Sequence, residues 1–149
     1  MRTLAAITVS LDGFVTGPDD GPGCGLGRGG ERLHHWVFGG PWRYGEPRPE
    51  PAERTMHPED RRFYDDLTEG VTGGVVGRGM YDAAGAWGGT NPFGHPLVVL
   101  THRTADAPDP TSGFHLVDRY DAALARAREV ASGGSVSLGG GASLIRQGL

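Results

Sequence analysis

The sequence has 149 residues, 37% hydrophobic and 21% charged, with a formal charge of −4; this is the scale of one ordinary domain and excludes a multidomain assembly or a transporter. The acidic balance excludes a broad nucleic-acid surface, because binding phosphates at scale needs a basic excess on one face. All 14 basic residues are Arg, which excludes a Schiff-base or P-loop lysine, and the single Cys24 leaves neither an internal disulfide nor a cysteine metal cluster.

The N-terminus, Met1 to Ser10, has too short an apolar stretch for a signal peptide or a membrane span, so a cytoplasmic protein is expected. Residues Thr3 to Ser10 mix small and β-branched side chains and meet the turn pair Asp12-Gly13, which predicts a buried first strand. From Gly17 to Gly30 the glycines are too dense for a packed element, and a mobile surface loop is expected. Leu33, Trp36 and Val37 recur at helical spacing before Gly39-Gly40-Pro41, predicting a short helix over Glu31 to Phe38. Pro41 to Pro51, with four prolines, reads as an exposed connection. A better helix opens at His57-Pro58-Glu59-Asp60 and runs to about Glu69.

The remainder alternates. Strands are predicted at 74–77, 97–101, 114–117 and 135–138, helices at 80–84 and 121–131, and a last helix begins near Ala142. Asp121 is the expected cap of the helix over 121–131, with an alanine-rich interior and Ser132-Gly133-Gly134 as its stop. Apolar strands separated by helices imply an α/β protein with a largely parallel sheet covered on both faces.

Three sites carry candidate chemistry. The strand-to-helix junctions Val75-Val76-Gly77-Arg78 and Leu138-Gly139-Gly140-Gly141-Ala142 offer free backbone N–H groups, and glycine lets a phosphate approach the main chain, so the two together suit one diphosphate. The second site, Thr101-His102-Arg103, ends the strongest strand. Arg103 and Arg78 there can each donate charge-assisted hydrogen bonds to a phosphate monoester such as a 2′-phosphate. The third is the corner Ser10 to Gly17, where Asp12 can orient a substrate or a water, with His34, His35 and Trp36 on the following helix. Adjacent histidines point to different faces and no third ligand stands at ligand spacing, so no metal is expected. No nucleophile elbow surrounds the serines, which argues against hydrolysis.

The ordered set Ser10-Leu11-Asp12-Gly13-Phe14, Leu33-His34-His35-Trp36, Val76-Gly77-Arg78, Pro96 to Arg103 and Leu138 to Arg146 resembles the dihydrofolate reductase-like family of the riboflavin-biosynthesis type. That is the group related to the C-terminal domain of the bifunctional deaminase-reductase. The resemblance spans nearly the whole chain. It implies a three-layer α/β fold around a central, mostly parallel mixed sheet, a homodimer, and an NADPH-dependent reductase acting on a small heterocyclic or carbonyl substrate, pteridine- or ribosylaminopyrimidine-like. It also implies that Gly77 and Arg78 meet the cofactor phosphates, Thr101, His102 and Arg103 the 2′-phosphate, and Gly139, Gly140, Gly141 and Ala142 the diphosphate. Thr16 and Gly17 would belong to a loop closing over the nicotinamide. Phe14 and Trp36 would border the substrate, and Asp12, His34 or His35 would handle its proton. No carboxylate lies within Leu33 to Trp36, where folate reductases carry one. Family members also continue into further strands beyond Arg146-Gln147-Gly148-Leu149, so a single domain truncated at its C-terminus is expected. The alternative is a protein of the same fold that binds NADP(H) or another ligand without turnover.

Overall fold

The computed structural model of the chain describes residues 2–47, 55–106 and 108–149. The chain divides into two compact units, Met1–Ile7 with Gly70–Leu149, and Thr8–Glu69.

The first unit is an α/β sheet. Its strands are β1 (Thr3–Ala5), β2 (Val71–Gly77), β3 (Leu97–Leu100), β4 (Phe114–Val117) and β5 (Ser135–Gly140), in the order β1-β5-β2-β3-β4. Every pairing is parallel, so the mixed sheet implied by the resemblance is not observed among the described residues. Parallel strands need crossovers, and those crossovers cover both faces of the sheet. On one face Val75, Val98, Val136 and Leu138 pack with Ala123, Ala127 and Ala131 of or next to a helix spanning Tyr120–Val130, and with Leu144 of a helix spanning Ala142–Gln147. On the other, Val76, Leu97, Val99 and Phe114 pack with Tyr81 of a helix spanning Arg78–Ala83. Val75 and Val76 therefore serve opposite cores, as the two-residue period of a strand requires. Burying each of these valines fully is worth about 1.5–3 kcal/mol relative to exposure.

Strand β2 begins three residues earlier than the apolar pattern predicts. A Cβ on Gly73 would lie 3.0 Å from the Ala127 carbonyl and from the Ala131 Cβ, and one on Gly74 would lie 2.8 Å from Leu97 Cδ1. These glycines lie inside the strand because the alanine-faced helix and the neighbouring strand approach closely there. The first strand is corrected the other way: it spans only Thr3–Ala5, its pairing ends at Ala5 opposite Leu138, and Ile7 and Val9 are exposed. It is an edge strand with one neighbour in place of the buried strand expected. The residue preceding the Tyr120–Val130 helix is Arg119, so Asp121 is not its cap. Asp121 sits in the first turn and accepts two hydrogen bonds from the Arg119 guanidinium, at 3.1 and 3.0 Å. An acid there still suits the helix dipole.

The second unit contains α1 (His35–Phe38), preceded by a 3-10 turn over Gly30–His34, and α2 (Pro58–Thr68). The glycine-rich stretch is a surface loop, as expected, with only Gly27 and Gly30 buried, but it is joined by its own hydrogen bonds. Gly17 N–H donates to Leu26 O at 2.7 Å, Arg28 N–H to Pro18 O at 2.8 Å, and Leu26 N–H to the Tyr44 hydroxyl at 2.8 Å. A Cβ on Gly17 would collide with the Arg28 carbonyl, so glycine here lets two backbone segments touch. Aromatic edges supply much of the remaining packing: Phe38 on Trp42 at 5.5 Å, Trp42 on Tyr44 at 5.0 Å, and Trp36 on Phe63 at 5.9 Å. Residues 48–51 of the predicted exposed connection lie outside the described residues. In chain order the helices of the first unit are α3 (Arg78–Ala83), α4 (Tyr120–Val130) and α5 (Ala142–Gln147).

Candidate functional site

In the first unit the three expected cofactor segments follow three adjacent strands. Gly77 ends β2 and Arg78 opens α3; Thr101, His102 and Arg103 follow β3; Gly139 and Gly140 end β5, and Gly141 and Ala142 lead into α5. The register sets Gly77 beside Leu100 and Val76 beside Gly140. Because β5, β2 and β3 are parallel neighbours, the segments meet at one C-terminal sheet edge. A Cβ on Gly77 would lie 3.6 Å from Gly140 O and 3.7 Å from Gly141 N, whereas Cβ atoms on Gly79 and Gly141 would meet nothing within 4 Å. The Gly140–Gly141 peptide bond is cis.

The edge between β2 and β5 is also where the winding reverses. The chain leaves β2 for β3 through α3 on one face and reaches β5 from β4 through α4 on the other. Helices α3 and α5, which follow the two neighbouring strands, lie on opposite faces, and a crevice opens where such connections diverge.

Both arginines of this edge are already engaged. Arg78 Nε donates to Asp82 Oδ1 at 2.7 Å and its Nη2 to Asp106 Oδ2 at 3.0 Å; Arg103 Nη2 donates to Asp82 Oδ2 at 2.5 Å. Arg78 also lies over the Tyr81 ring, 5.6 Å from its centroid, and its Nη1 is buried with no hydrogen-bond partner among the described residues. The hydrogen bond to Asp82 raises the Arg78 pKa, with burial opposing it. Burial pushes the Asp82 carboxyl up, but the hydrogen bonds from Arg78 and Arg103 outweigh it and hold the group below its ordinary value. Thr101 is buried and its hydroxyl oxygen accepts from the Arg103 N–H at 3.0 Å, closing the turn, while His102 is exposed. The two aspartates were missed as site residues: the helix expected over 80–84 left Arg78 outside it, and only the observed helix from Arg78 makes Arg78 and Asp82 an (i, i+4) pair.

The glycine-lined junctions and the buried, unpartnered Nη1 of Arg78 fit a phosphate-bearing nucleotide; the aspartates on both guanidiniums qualify that fit. An open groove of about 470 Å³ runs along β4, lined by Thr104, Pro108, His115, Leu116, Val117 and Arg126 among others, and adjoins the Thr101–Arg103 segment, whose Thr101 N–H donates to Val117 O at 2.8 Å.

The second unit holds the remaining candidates. Asp12 is exposed and accepts from the Ser10 hydroxyl at 2.6 Å, while the Phe14 N–H donates to the same Ser10 oxygen at 2.9 Å, so the corner is closed on itself. Phe14 is exposed. Thr16 is half-buried beside Gly17. His35 Nε2 lies within hydrogen-bond range of the Trp42 carbonyl oxygen at 3.2 Å and of the Trp42 N–H at 3.4 Å, tying α1 to the turn after it. Trp36 packs on Phe63 and Tyr64 of α2. Burial lowers the His34 pKa, and its Nδ1 is buried without a partner among the described residues. Glu31, one helical step earlier and absent from the expected set, is buried with Oε2 likewise unpartnered. An acid at the opening of the predicted helix was visible, but its burial was not.

Among the described residues no helix is long and apolar enough to cross a membrane. No protein-family model matches the chain, and no curated protein is significantly similar to it.

Proposed function

We propose that this chain is an NADPH-dependent reductase of the dihydrofolate reductase-like, riboflavin-biosynthesis type. It would act in the cytoplasm as a homodimer on a small heterocyclic or carbonyl substrate, pteridine- or ribosylaminopyrimidine-like. One observation carries the reading: two glycine-rich strand ends and an arginine-bearing third adjoin at the reversal point of a parallel sheet, where α/β proteins bind nucleotides. NADPH, when bound, supplies the hydride. The protein supplies orientation and exclusion of water. Backbone N–H groups at Gly77 and at Gly139, Gly140, Gly141 and Ala142 would take the diphosphate, and Arg78 with Thr101, His102 and Arg103 the adenosine end. For Thr16, Gly17, Phe14, Trp36, Asp12, His34 and His35, which lie in the other unit, the roles rest on the family resemblance alone.

The test is titration of the full chain with NADPH by calorimetry, followed by consumption of NADPH absorbance with a pteridine and ribosylaminopyrimidine panel. Binding in the micromolar range and substrate-dependent consumption are expected. Arg103→Ala should weaken NADPH more than NADH. Binding without consumption by any member of the panel would favour the turnover-free alternative, and absence of binding to either nicotinamide nucleotide overturns the reading.

A further inference from the structure

The arginines that mark the adenosine end do not stand as free cations. Asp82 bridges them with its two oxygens, one to Arg78 Nε and one to Arg103 Nη2, and Asp106 takes a second arm of Arg78. Two guanidiniums and two carboxylates make a cluster of zero formal charge. One turn of α3 sets Arg78 and Asp82 on the same side, and the connection after β3 brings Arg103 and Asp106 to them. The Arg78 side chain is 19% exposed, the Asp82 side chain 38% and the Arg103 side chain 59%, so the Arg78 limb of the bridge is partly shielded from water and the Arg103 limb is screened as a surface ion pair is.

A phosphate dianion entering this cluster finds donors left on Arg78 Nη1 and on Arg103, but no net positive charge and a carboxylate at contact distance, so it must bind beside Asp82 against that charge. Like charges held together this way disfavour the ionised state of one or both partners. A ribose hydroxyl behaves differently, since it can donate to a carboxylate without disturbing the ion pairs. Nucleotide sites elsewhere divide along this line: an acid takes the 2′-hydroxyl of NADH, and an arginine takes the 2′-phosphate of NADPH. This cluster holds both groups, joined.

Resting on the nucleotide-site reading above, we infer that Asp82 sets cofactor selectivity: by offsetting the charge of both guanidiniums and presenting a carboxylate beside them, it lets the adenosine end accept the 2′-hydroxyl of NADH nearly as well as the 2′-phosphate of NADPH. Asp106 acts in the same direction but holds only one arm of Arg78, so its influence is smaller. Asp82→Asn keeps the shape but leaves one uncharged amide oxygen in place of two carboxylate oxygens, so at least one arginine donor is freed for the phosphate and the acceptor left for the hydroxyl is weaker.

The experiment measures dissociation constants of NADPH and of NADH for the full chain at one fixed ionic strength, in the wild type, Asp82→Asn, Asp106→Asn and Arg103→Ala. In the wild type the two constants are expected to agree within about tenfold, and Asp82→Asn should shift the ratio toward NADPH by about tenfold or more. Asp106→Asn should shift it the same way by less, and Arg103→Ala should shift it toward NADH. Asp106 lies outside the helices and is exposed, so that variant tests the inference even if Asp82→Asn fails to fold. A wild type favouring NADPH by more than about a hundredfold, or aspartate variants that leave the ratio unchanged, overturns the role of Asp82 and leaves the nucleotide site standing. A folded wild type that binds neither nucleotide overturns the site reading itself, and this inference with it.

Discussion

Val98 and Trp42 are both buried, but by different means. Val98 sits at the centre of β3, between parallel neighbours, with the alanine side of α4 above it. Trp42 lies in a connection without helix or strand, held by ring edges from Phe38 and Tyr44 and by backbone contact with His35. The sheet unit draws its order from a repeated aliphatic pattern that many residues share. The unit over residues 8–69 draws its order from a few specific contacts, each made once. Damage should therefore spread through the first unit and stay local in the second, and the sites that depend on them should fail differently.

The largest effect is expected from Val98→Asp. The position is fully buried in a central strand, and an unpaired carboxylate there costs several kcal/mol, on the order of total domain stability. The variant should lose its folded circular dichroism and any nucleotide affinity together. Retention of a cooperative thermal transition would show that the sheet core tolerates a charge and that the contrast is misdrawn.

A smaller, local effect is expected from Gly17→Ala. The added methyl would strike the Arg28 carbonyl, and Gly30 N lies next to the same spot. Overpacking of this kind costs about 1–3 kcal/mol. Hydrogen exchange should speed up at the amides of Gly17, Leu26 and Arg28, whose bonds fix the loop. Unchanged protection at all three would mean that the loop is not held by that close approach.

The same contrast explains what was legible in the sequence. Strands β3 and β4, helix α2 and the start of α5 follow from apolar runs, Pro58 and the final glycines, because periodicity and capping are local properties. Strand β2 was underestimated because Gly73 reads as a breaker, and the reason for it lies in an alanine helix some fifty residues away. The order of Gly17 to Gly30 was invisible for a related reason: its hydrogen bonds join positions whose side chains carry no pattern. At the candidate site, the places of the glycines and arginines after their strands were legible. The pairing of Arg78 with Asp106 was not, since it spans 28 residues.

The mildest prediction concerns acid. Each unit contains one histidine whose pKa is lowered: His34 by burial, and His115 on β4 by burial and by the nearby Arg126 charge, with Glu129 opposing. A histidine that resists protonation when folded takes up protons more readily when unfolded, from its ordinary value of 6.5 downward. Each therefore contributes stability at neutral pH that is lost as pH falls below that value. The carboxylates held low, Asp82 among them, lose their contribution only below the ordinary carboxylate value of 3.8, so the two windows separate. The melting temperature should accordingly drop between roughly pH 7 and pH 5, and His34→Asn and His115→Asn should each flatten part of that slope. His34 has the fully enclosed ring nitrogen, so its replacement should flatten the larger share. If only His115→Asn alters the slope, the acid-sensitive element is the sheet edge, and the aromatic unit is sturdier than its few contacts imply.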